Sequence, residues 1–191
     1  MKVTLPLSPF DLHPVLRDFC IAIVFVEGVL VAADAFQLTV RSEAIEALGF
    51  TLSWRNEPWR ILSHVFLHGG ALHMIFNIIP ICLFGDALAL LRGEGETTFI
   101  VLLSIMAGAA GFAVFGIYPA MIGASAISFG LAAACLVHWT GLTIVHRTMA
   151  VALGATTLPS IIWWTGIAWE AHVAAAAFGA GASIFLCKLR P

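Results

Sequence analysis

The stretch TTFIVLLSIMAGAAGFAVFGIYPAMIGASAISFGLAAACLVHWTGLTIVH, residues 97–146, contains no Asp, Glu, Lys or Arg. A helix that crosses a membrane needs about 20 mostly apolar residues, so this stretch has room for two crossings with a break at Pro119. The whole chain agrees, because 61% of its 191 residues are hydrophobic and only 10% are charged. This composition excludes a water-soluble globular class and predicts an integral membrane protein.

Four further apolar stretches predict four more crossings, over about 18–36, 73–91, 148–166 and 171–186. Together the stretches predict an all-α polytopic membrane protein, a bundle of six transmembrane helices in which residues 1–191 form a single domain. The first stretch contains Glu27 and Asp34 and lacks a clear small-residue cleavage site. We therefore interpret it as a retained helix and not as a signal peptide.

The basic residues predict how the bundle is oriented. With six crossings, the side of the termini carries Lys2, Arg17, Arg92, Arg147, Lys188 and Arg190, and the other side carries Arg41, Arg55 and Arg60. Cytoplasmic loops are enriched in Lys and Arg, so we expect both termini in the cytoplasm, with a short cytoplasmic segment at 1–17. The short chain fits a minimal protein of a bacterial-type plasma (inner) membrane.

Charge and cysteine usage narrow the classes of partner and cofactor. A net charge of −2 argues against a basic nucleic-acid surface. The four cysteines occupy different apolar stretches without CxxC spacing, so neither a disulfide framework nor a zinc site is predicted. The HExxH pattern of zinc proteases is also absent from the sequence. We expect no metal and no cofactor, and the lipid bilayer as the surroundings.

One long connection, about 37–72, lies on the outer side in this topology. It mixes charged residues with bulky apolar ones such as Trp54 and Trp59. Tryptophan favours the headgroup region of a membrane. The composition predicts a membrane-associated loop that rests on the bilayer, with an ordinary ordered loop as the alternative.

Polar residues occur at the outer ends of three predicted crossings. His73 and Asn77 are four residues apart, on one helix face. Gly-Ala-Ser at 123–125 begins the fourth crossing, and Ala-His at 171–172 begins the sixth. These three crossings run in the same direction, so all the groups lie at one depth. Polar groups at membrane depth are costly and indicate function by default.

The residue types at this depth predict acyl-transfer chemistry. A serine hydroxyl becomes a useful nucleophile when an imidazole takes its proton, which assigns Ser125 as nucleophile and His172 as base. The oxyanion that forms needs fixed donors, and His73, Asn77 and the Ser125 backbone N–H are candidates. Glu170 lies two residues before His172 and faces elsewhere on a helix, so the prediction is a dyad.

These segments also resemble a known family. The sequences PWRILSHVFLHGGALHMIFN (58–77), GASAISFGL (123–131) and AHVAAAAFG (171–179) are similar, in order and spacing, to the signature segments of rhomboid intramembrane serine proteases. The resemblance covers most of the chain, from about Trp59 to Gly179. It implies a six-helix bundle that hydrolyses peptide bonds of membrane-anchored proteins, in or near their transmembrane segments.

The resemblance implies roles by position. Ser125 matches the serine of the family's GxSG segment, and His172 matches the histidine of AHxxGxxxG. His73 and Asn77 match the HxxxN segment, whose side chains help to hold the oxyanion. The pair Trp59-Arg60 matches a Trp-Arg pair in the membrane-associated first loop, where we expect it to anchor the loop.

The small residues around the site agree with the family pattern only in part. Ala126 stands where GxSG has its second glycine, Ala175 stands where the sixth helix has glycine, and Ala89 lies where many members have Glu. Small side chains let membrane helices approach closely. We expect support of this kind for the backbone and packing of the site from Gly123, Ala124, Ala126 and Gly179.

Two alternatives to a protease remain open. One is a catalytically inactive rhomboid-like protein that binds transmembrane segments without cutting them. The other is a small transporter or channel, in which Glu27, Asp34 and Asp86 would mark an ion path. Cleavage of a single-span substrate separates both of them from a protease.

Overall fold

The computed structural model of the chain describes the backbone of residues 14–163 and 166–189 and the side chains of 14–157 and 166–189. Within these ranges the chain forms eight α-helices and one two-stranded sheet. The elements are α1 (Pro14–Ala35), α2 (Val40–Leu48), β1 (Phe50–Thr51), α3 (Arg60–Ser63), α4 (Ala71–Arg92), α5 (Glu94–Phe115), β2 (Ala120–Met121), α6 (Ser125–Leu136), α7 (Ile144–Trp163) and α8 (Trp169–Leu189).

The helices identify a polytopic membrane protein. Among the described residues, α4, α5 and α8 are long and apolar enough to cross a membrane. The helix α6 is apolar but has only 12 residues, which is about 18 Å at 1.5 Å per residue against a hydrocarbon core of about 30 Å. Three of the six predicted crossings therefore correspond to helices of spanning length and composition.

The boundaries of the first predicted segments differ from the structure. The helix α1 already includes Pro14, the first described residue, which is four residues before the predicted crossing. Most of the predicted terminal segment 1–17 lies outside the described residues. The helix also carries Arg17, Asp18, Glu27 and Asp34, so it holds more charged residues than α4, α5 or α8, although it is otherwise apolar.

The helix α6 lies at the centre of the bundle and packs against α4, α5 and α8. Nearly all of its side chains are buried. Close approach is possible because small residues face one another at its contacts. A Cβ atom added to Gly179 of α8 would lie 2.4 Å from the backbone oxygen of Gly130 in α6, so any side chain at 179 would separate the two helices.

The predicted long connection at 37–72 is ordered. It contains α2, β1 and α3, and β1 pairs antiparallel with β2, with Phe50 opposite Met121 and Thr51 opposite Ala120. The connection is thus joined to the segment that precedes α6. It also presents apolar side chains at its surface, as Leu52, Trp59 and Leu62 are all about half exposed.

The helix α7 is held much less tightly than α6. Within the described residues it packs only lightly against α4, α6 and α8, and Ile144 and Val151 are 74% and 69% exposed. One side of the bundle, formed by α5, α6 and α8, is therefore closely packed. The opposite side, between α4 and α7, is open.

Candidate active site

Ser125 lies at the start of α6, where the backbone turns sharply into the helix. The turn is made at Gly123, whose φ of +105° is a conformation that a residue with a side chain rarely adopts. Ala124 is the N-cap of α6 and is fully buried. The first N–H groups of a helix have no partner within the helix, so the Ser125 backbone N–H is a donor at this end.

The side chains of Ser125 and His172 are in hydrogen-bond contact. Ser125 Oγ lies 2.8 Å from His172 Nε2, although the two residues are 47 positions apart and on different helices. If the hydroxyl donates to Nε2, the neutral imidazole carries its own hydrogen on Nδ1. This is the arrangement in which the imidazole can take the serine proton.

The imidazole of His172 is positioned by stacking. The ring of Phe129 lies parallel to it, with 4.1 Å between the ring centroids and an interplanar angle of 9°. His172 Nδ1 is buried and has no hydrogen-bond partner among the described residues. The carboxylate of Glu170 is also buried without such a partner, so it makes no hydrogen bond to His172. Among the described residues, the pair has no third member.

Phe129 was not among the residues singled out from the sequence. It lies four residues after Ser125, so it is on the same face of α6. That spacing is the signal that points to it. A phenylalanine in an apolar helix does not otherwise stand out, and only the α6–α8 contact shows that it meets the histidine.

His73 and Asn77 face the backbone next to Ser125. A Cβ atom added to Gly123 would lie 3.0 Å from His73 Nε2 and 3.7 Å from Asn77 Nδ2. Asn77 Nδ2 donates one hydrogen to the His73 backbone oxygen at 2.8 Å, which leaves its second hydrogen free to point at the site. The two side chains therefore converge on one region beside Ser125.

The segment that precedes Ser125 is hydrogen-bonded to the long connection. The Gly123 N–H donates to the backbone oxygen of His64 at 2.9 Å. Arg60 is buried and donates through Nη1 to the Gly49 oxygen at 2.7 Å and through Nε to Glu57 at 2.7 Å. Trp59 is half exposed, and its Nε1 lies 3.5 Å from the Ala47 oxygen.

Two histidines of this connection are uncharged at neutral pH. Both His64 and His68 are fully buried. Burial lowers the pKa of His64 to about 4. Burial, assisted by the neighbouring His73, also lowers the pKa of His68 to about 4. His64 Nδ1 lies 2.9 Å from the Arg60 oxygen, and the ring of His68 meets that of His73 edge to face with centroids 5.1 Å apart.

The extra methyl groups of Ala126 and Ala175 are accommodated. A Cβ atom added to Gly108 of α5 would lie 2.6 Å from the Ala126 Cβ, so the glycine in α5 leaves the room that Ala126 occupies. Ala175 is fully buried on α8. The close crossing of α6 and α8 is kept at Gly130 and Gly179, and Ser125 and His172 remain in contact.

These side chains line a cavity of about 750 Å³ on the open side of the bundle. Ser125, His172, His73 and Asn77 lie on its wall, together with residues of α7 such as Met149 and Leu153. The lining is mainly apolar. The site can therefore hold an extended apolar segment with one polar group placed against the serine.

Two of the acidic residues that would mark an ion path in the transporter alternative are paired with an arginine. Glu27 and Asp34 both form ion pairs with Arg41. Among the described residues, no group of three or more His, Cys, Asp or Glu side chains is arranged to hold a metal ion.

The fold and the site together define a class of protein. It is a polytopic helical membrane protein in which a serine and a histidine are in contact at the wall of a cavity. Comparison with known sequences gives the family. Residues 55–189 match the Rhomboid domain. The chain belongs to the rhomboid family.

Several curated proteins are similar to the chain. It is 32% identical over 108 residues to RHOMBOID-like protein 6, mitochondrial, of Arabidopsis thaliana, which covers 52% of this chain and 35% of that protein. It is 24% identical over 139 residues to Rhomboid-related protein 3 of Homo sapiens, with 70% of this chain and 34% of that protein covered. Rhomboid protease GluP of Bacillus subtilis (strain 168) is 32% identical over 101 residues, covering 51% of this chain and 20% of GluP.

The chain thus spans about a third or less of the length of these relatives. One of them is named as a protease, and the other two are named by family alone. The names do not by themselves decide whether a family member cuts peptide bonds.

Proposed function

We propose that the protein is an intramembrane serine endopeptidase that hydrolyses peptide bonds in or near the transmembrane segments of membrane-anchored proteins. The single observation that carries the proposal is the 2.8 Å contact between Ser125 Oγ and His172 Nε2 at the wall of an apolar cavity. A hydroxyl that donates to an imidazole is the arrangement that activates a serine for attack on a carbonyl.

In the first half-reaction the Ser125 oxygen attacks the scissile carbonyl carbon while its proton passes to His172 Nε2. The tetrahedral oxyanion is held by His73 Nε2–H, the Asn77 amide and the Ser125 backbone N–H. Collapse of this intermediate breaks the C–N bond, and His172 returns the proton to the leaving amine. The products are an ester on Ser125 and a free amine.

In the second half-reaction a water molecule gives a proton to His172 Nε2 and attacks the ester carbonyl. A second oxyanion forms in the same place, and its collapse returns the proton to Ser125 Oγ. The second product is a carboxylic acid, and the hydroxyl is restored. No metal or cofactor takes part in either step.

Phe129 contributes to both half-reactions by holding the imidazole. Its ring lies parallel to His172 at 4.1 Å, so rotation of the imidazole about its Cβ–Cγ bond is hindered. The face of an aromatic ring also carries negative charge density, which favours a cation above it. Phe129 therefore supports the imidazolium that exists between proton transfers.

The substrate is proposed to reach the site from the bilayer between α4 and α7. This side of the bundle is open, and α7 is only lightly packed. A transmembrane segment can move within the bilayer and present its chain to the apolar cavity without leaving lipid. The exposed side chains Leu52, Trp59 and Leu62 support a loop that rests on the same membrane surface.

We further propose that the chain crosses the membrane six times, with α1, which carries more charge, α6, which is short, and α7, which is less apolar, as the remaining crossings. Both termini then lie in the cytoplasm, in a plasma membrane of bacterial type, and the active site opens towards the outer side. The excess of Lys and Arg on the side of the termini supports this orientation.

The test is cleavage of a single-span substrate by purified protein in lipid vesicles. The wild type is expected to give two fragments, and Ser125→Ala and His172→Ala are each expected to give none. The double variant should be hardly worse than either single one, because the two groups act as a unit. Ser104→Ala is the matched control, since Ser104 is a buried serine that bonds only to its own helix at Ile100.

A folded wild-type protein that binds the substrate without cutting it would overturn the protease proposal. That outcome identifies the chain as an inactive rhomboid-like protein that recognises transmembrane segments. Two fragments that persist in Ser125→Ala would instead show that another group is the nucleophile.

A further inference from the structure

Arg41 lies in α2, outside the matched residues 55–189. Its guanidinium nevertheless bonds to buried groups. Its two terminal nitrogens lie 3.0 and 3.1 Å from the two carboxylate oxygens of Glu27 in α1. Glu27 is only 1% exposed. A buried carboxylate requires a partner of this kind, and the planar guanidinium matches it with two parallel bonds.

The same guanidinium makes a third bond that points towards the active site. Arg41 Nη1 donates to the backbone oxygen of His68 at 2.6 Å. This oxygen belongs to the peptide that joins His68 to Gly69. In a trans peptide the C=O and the N–H point to opposite sides, so the Gly69 N–H points away from Arg41.

The Gly69 N–H donates to the imidazole of His73. Gly69 N lies 3.2 Å from His73 Nδ1. One peptide plane therefore connects the Arg41 guanidinium on one side with the His73 imidazole on the other. A cation bonded to a peptide oxygen polarises the peptide and makes its N–H a stronger donor, since hydrogen bonds in a chain reinforce one another.

The bond to Nδ1 decides which nitrogen of His73 carries hydrogen. In a neutral imidazole one nitrogen donates and the other accepts. Because Nδ1 accepts from Gly69, the hydrogen is on Nε2. Nε2 is the nitrogen that lies beside Gly123, two residues before Ser125 and in the cavity that both side chains line, where an oxyanion needs a donor. The opposite tautomer would present a lone pair there and would repel the oxyanion.

We propose that Arg41 is a positioning residue for catalysis, which through the His68–Gly69 peptide holds His73 as the tautomer with hydrogen on Nε2. This inference rests on the proposed protease function, because it assigns His73 to the oxyanion. It places a determinant of the active site in α2, before the matched domain begins. Glu27 belongs to the same device, because it holds the guanidinium in place.

A simpler role for Arg41 would be to join α2 to α1. Its Nε also lies 2.6 Å from Asp34, whose side chain is exposed. Asp34→Asn weakens that join but leaves the bonds to Glu27 and His68. It is therefore the matched control, and Arg55→Gln, at an exposed arginine of the same long connection, controls for loss of a positive charge.

The tautomer is measured first, by nitrogen NMR of protein with isotope-labelled histidine, in the Ser125→Ala background. The expected result is an unprotonated Nδ1 and a protonated Nε2 on His73. Arg41→Gln is expected to give a mixture of both tautomers, and Asp34→Asn is expected to leave the spectrum unchanged. This measurement needs no turnover, so it stands even if the protease proposal fails.

The second measurement is kcat and KM on a single-span substrate with Ser125 restored. Arg41→Gln is expected to lower kcat about ten- to a hundredfold with KM within about twofold, which is less than the 10²–10³ typical of losing an oxyanion donor outright. Asp34→Asn and Arg55→Gln are expected to keep kcat. Arg41→Lys keeps the positive charge but lacks the planar guanidinium. Its kcat should therefore lie between those of the wild type and Arg41→Gln.

Two results would overturn the inference. One is a folded Arg41→Gln protein in which His73 keeps its hydrogen on Nε2. The other is unchanged kcat in that variant while the wild type cuts its substrate. If Arg41→Gln does not fold, Arg41→Lys decides by the same two readouts. A wild type that shows no turnover counts against the proposed function, and the NMR result then decides the inference alone.

Discussion

The two sides of the bundle differ in how closely their helices pack. Around α5, α6 and α8, glycines allow backbone to meet backbone, as at Gly130 and Gly179. Between α4 and α7 the helices are separated by a cavity of about 750 Å³. Ser125 and His172 are held by the closely packed side but face the open one. On the proposed function, the packed helices would hold the reacting groups in place and the open side would give access to a large substrate.

The largest effect on kcat is expected when the oxyanion donors His73 and Asn77, on the open side, are removed. Removing one oxyanion donor typically lowers kcat about 10²–10³-fold, so His73→Ala and Asn77→Ala should each lower kcat by that order while KM changes little. Steady-state kinetics on a single-span substrate is the measurement. If Asn77→Ala only lowers thermal stability and the folded remainder keeps normal kcat, the side chain is a structural link between helices and not a donor.

Acid is expected to destabilise the fold through His64 and His68. Their pKa values are about 4 in the folded protein and about 6.5 in an unfolded chain. As pH falls from 6.5 towards 4, the unfolded chain takes up protons that the folded protein does not, so the free energy of unfolding falls by about 3 kcal/mol for each histidine. Stability is fully present above pH 6.5.

His64→Asn tests this pH dependence, because the asparagine amide nitrogen takes the place of Nδ1 and can still donate to the Arg60 oxygen but does not titrate. Thermal unfolding in detergent at several pH values between 4 and 7 is the measurement. The variant should lose less stability on acidification than the wild type does. Equal losses in the two proteins would show that His64 is not the group that responds.

The packed side should resist even one methyl group. Gly179→Ala would place a Cβ 2.4 Å from the Gly130 oxygen, and overpacking of this kind costs roughly 1–3 kcal/mol. Gly181→Ala, two residues further along α8, meets nothing within 4 Å and should leave stability unchanged or slightly raised. A lower unfolding temperature for Gly179→Ala alone is the expected outcome, and equal behaviour of both variants would contradict it.

A larger side chain on the open side is expected to leave the fold stable but to weaken substrate binding. Leu153 of α7 lines the cavity, so Leu153→Trp narrows the access path while leaving the α6–α8 contact alone. We expect roughly tenfold lower kcat/KM, mainly through KM, which is the scale of a steric change in an apolar site. Stability and labelling of Ser125 by a small probe should be unchanged. A loss of kcat with constant KM would mean that α7 shapes the reacting groups.

The sequence was informative where a residue type is costly in its surroundings. Histidine, asparagine and serine at membrane depth are expensive, and for that reason the segments of Ser125, His172, His73 and Asn77 stand out within the apolar chain. Long apolar runs are likewise costly in water, and for that reason they predicted a polytopic helical membrane protein. Membership of the rhomboid family, expected from three segments, is confirmed by the match over 55–189.

The sequence was less informative where the outcome depends on contacts between distant segments. The run 97–146 did not show that α6 ends at Leu136 after 12 residues, because apolar residues continue beyond it. Nor could it show that Gly108 makes room for Ala126 or that Phe129 stacks on His172. The Arg41–Glu27 pair also joins residues that no motif connects.

Covalent labelling is a direct test of whether Ser125 is a nucleophile activated by His172. A fluorophosphonate probe reacts with an activated serine and needs no knowledge of the substrate. We expect folded wild-type protein in detergent or bilayers to be labelled on Ser125, and His172→Ala to lose the label. If folded wild-type protein resists the probe while Ala126→Gly becomes labelled, Ser125 is not activated in the native protein, and the chain is an inactive rhomboid-like protein.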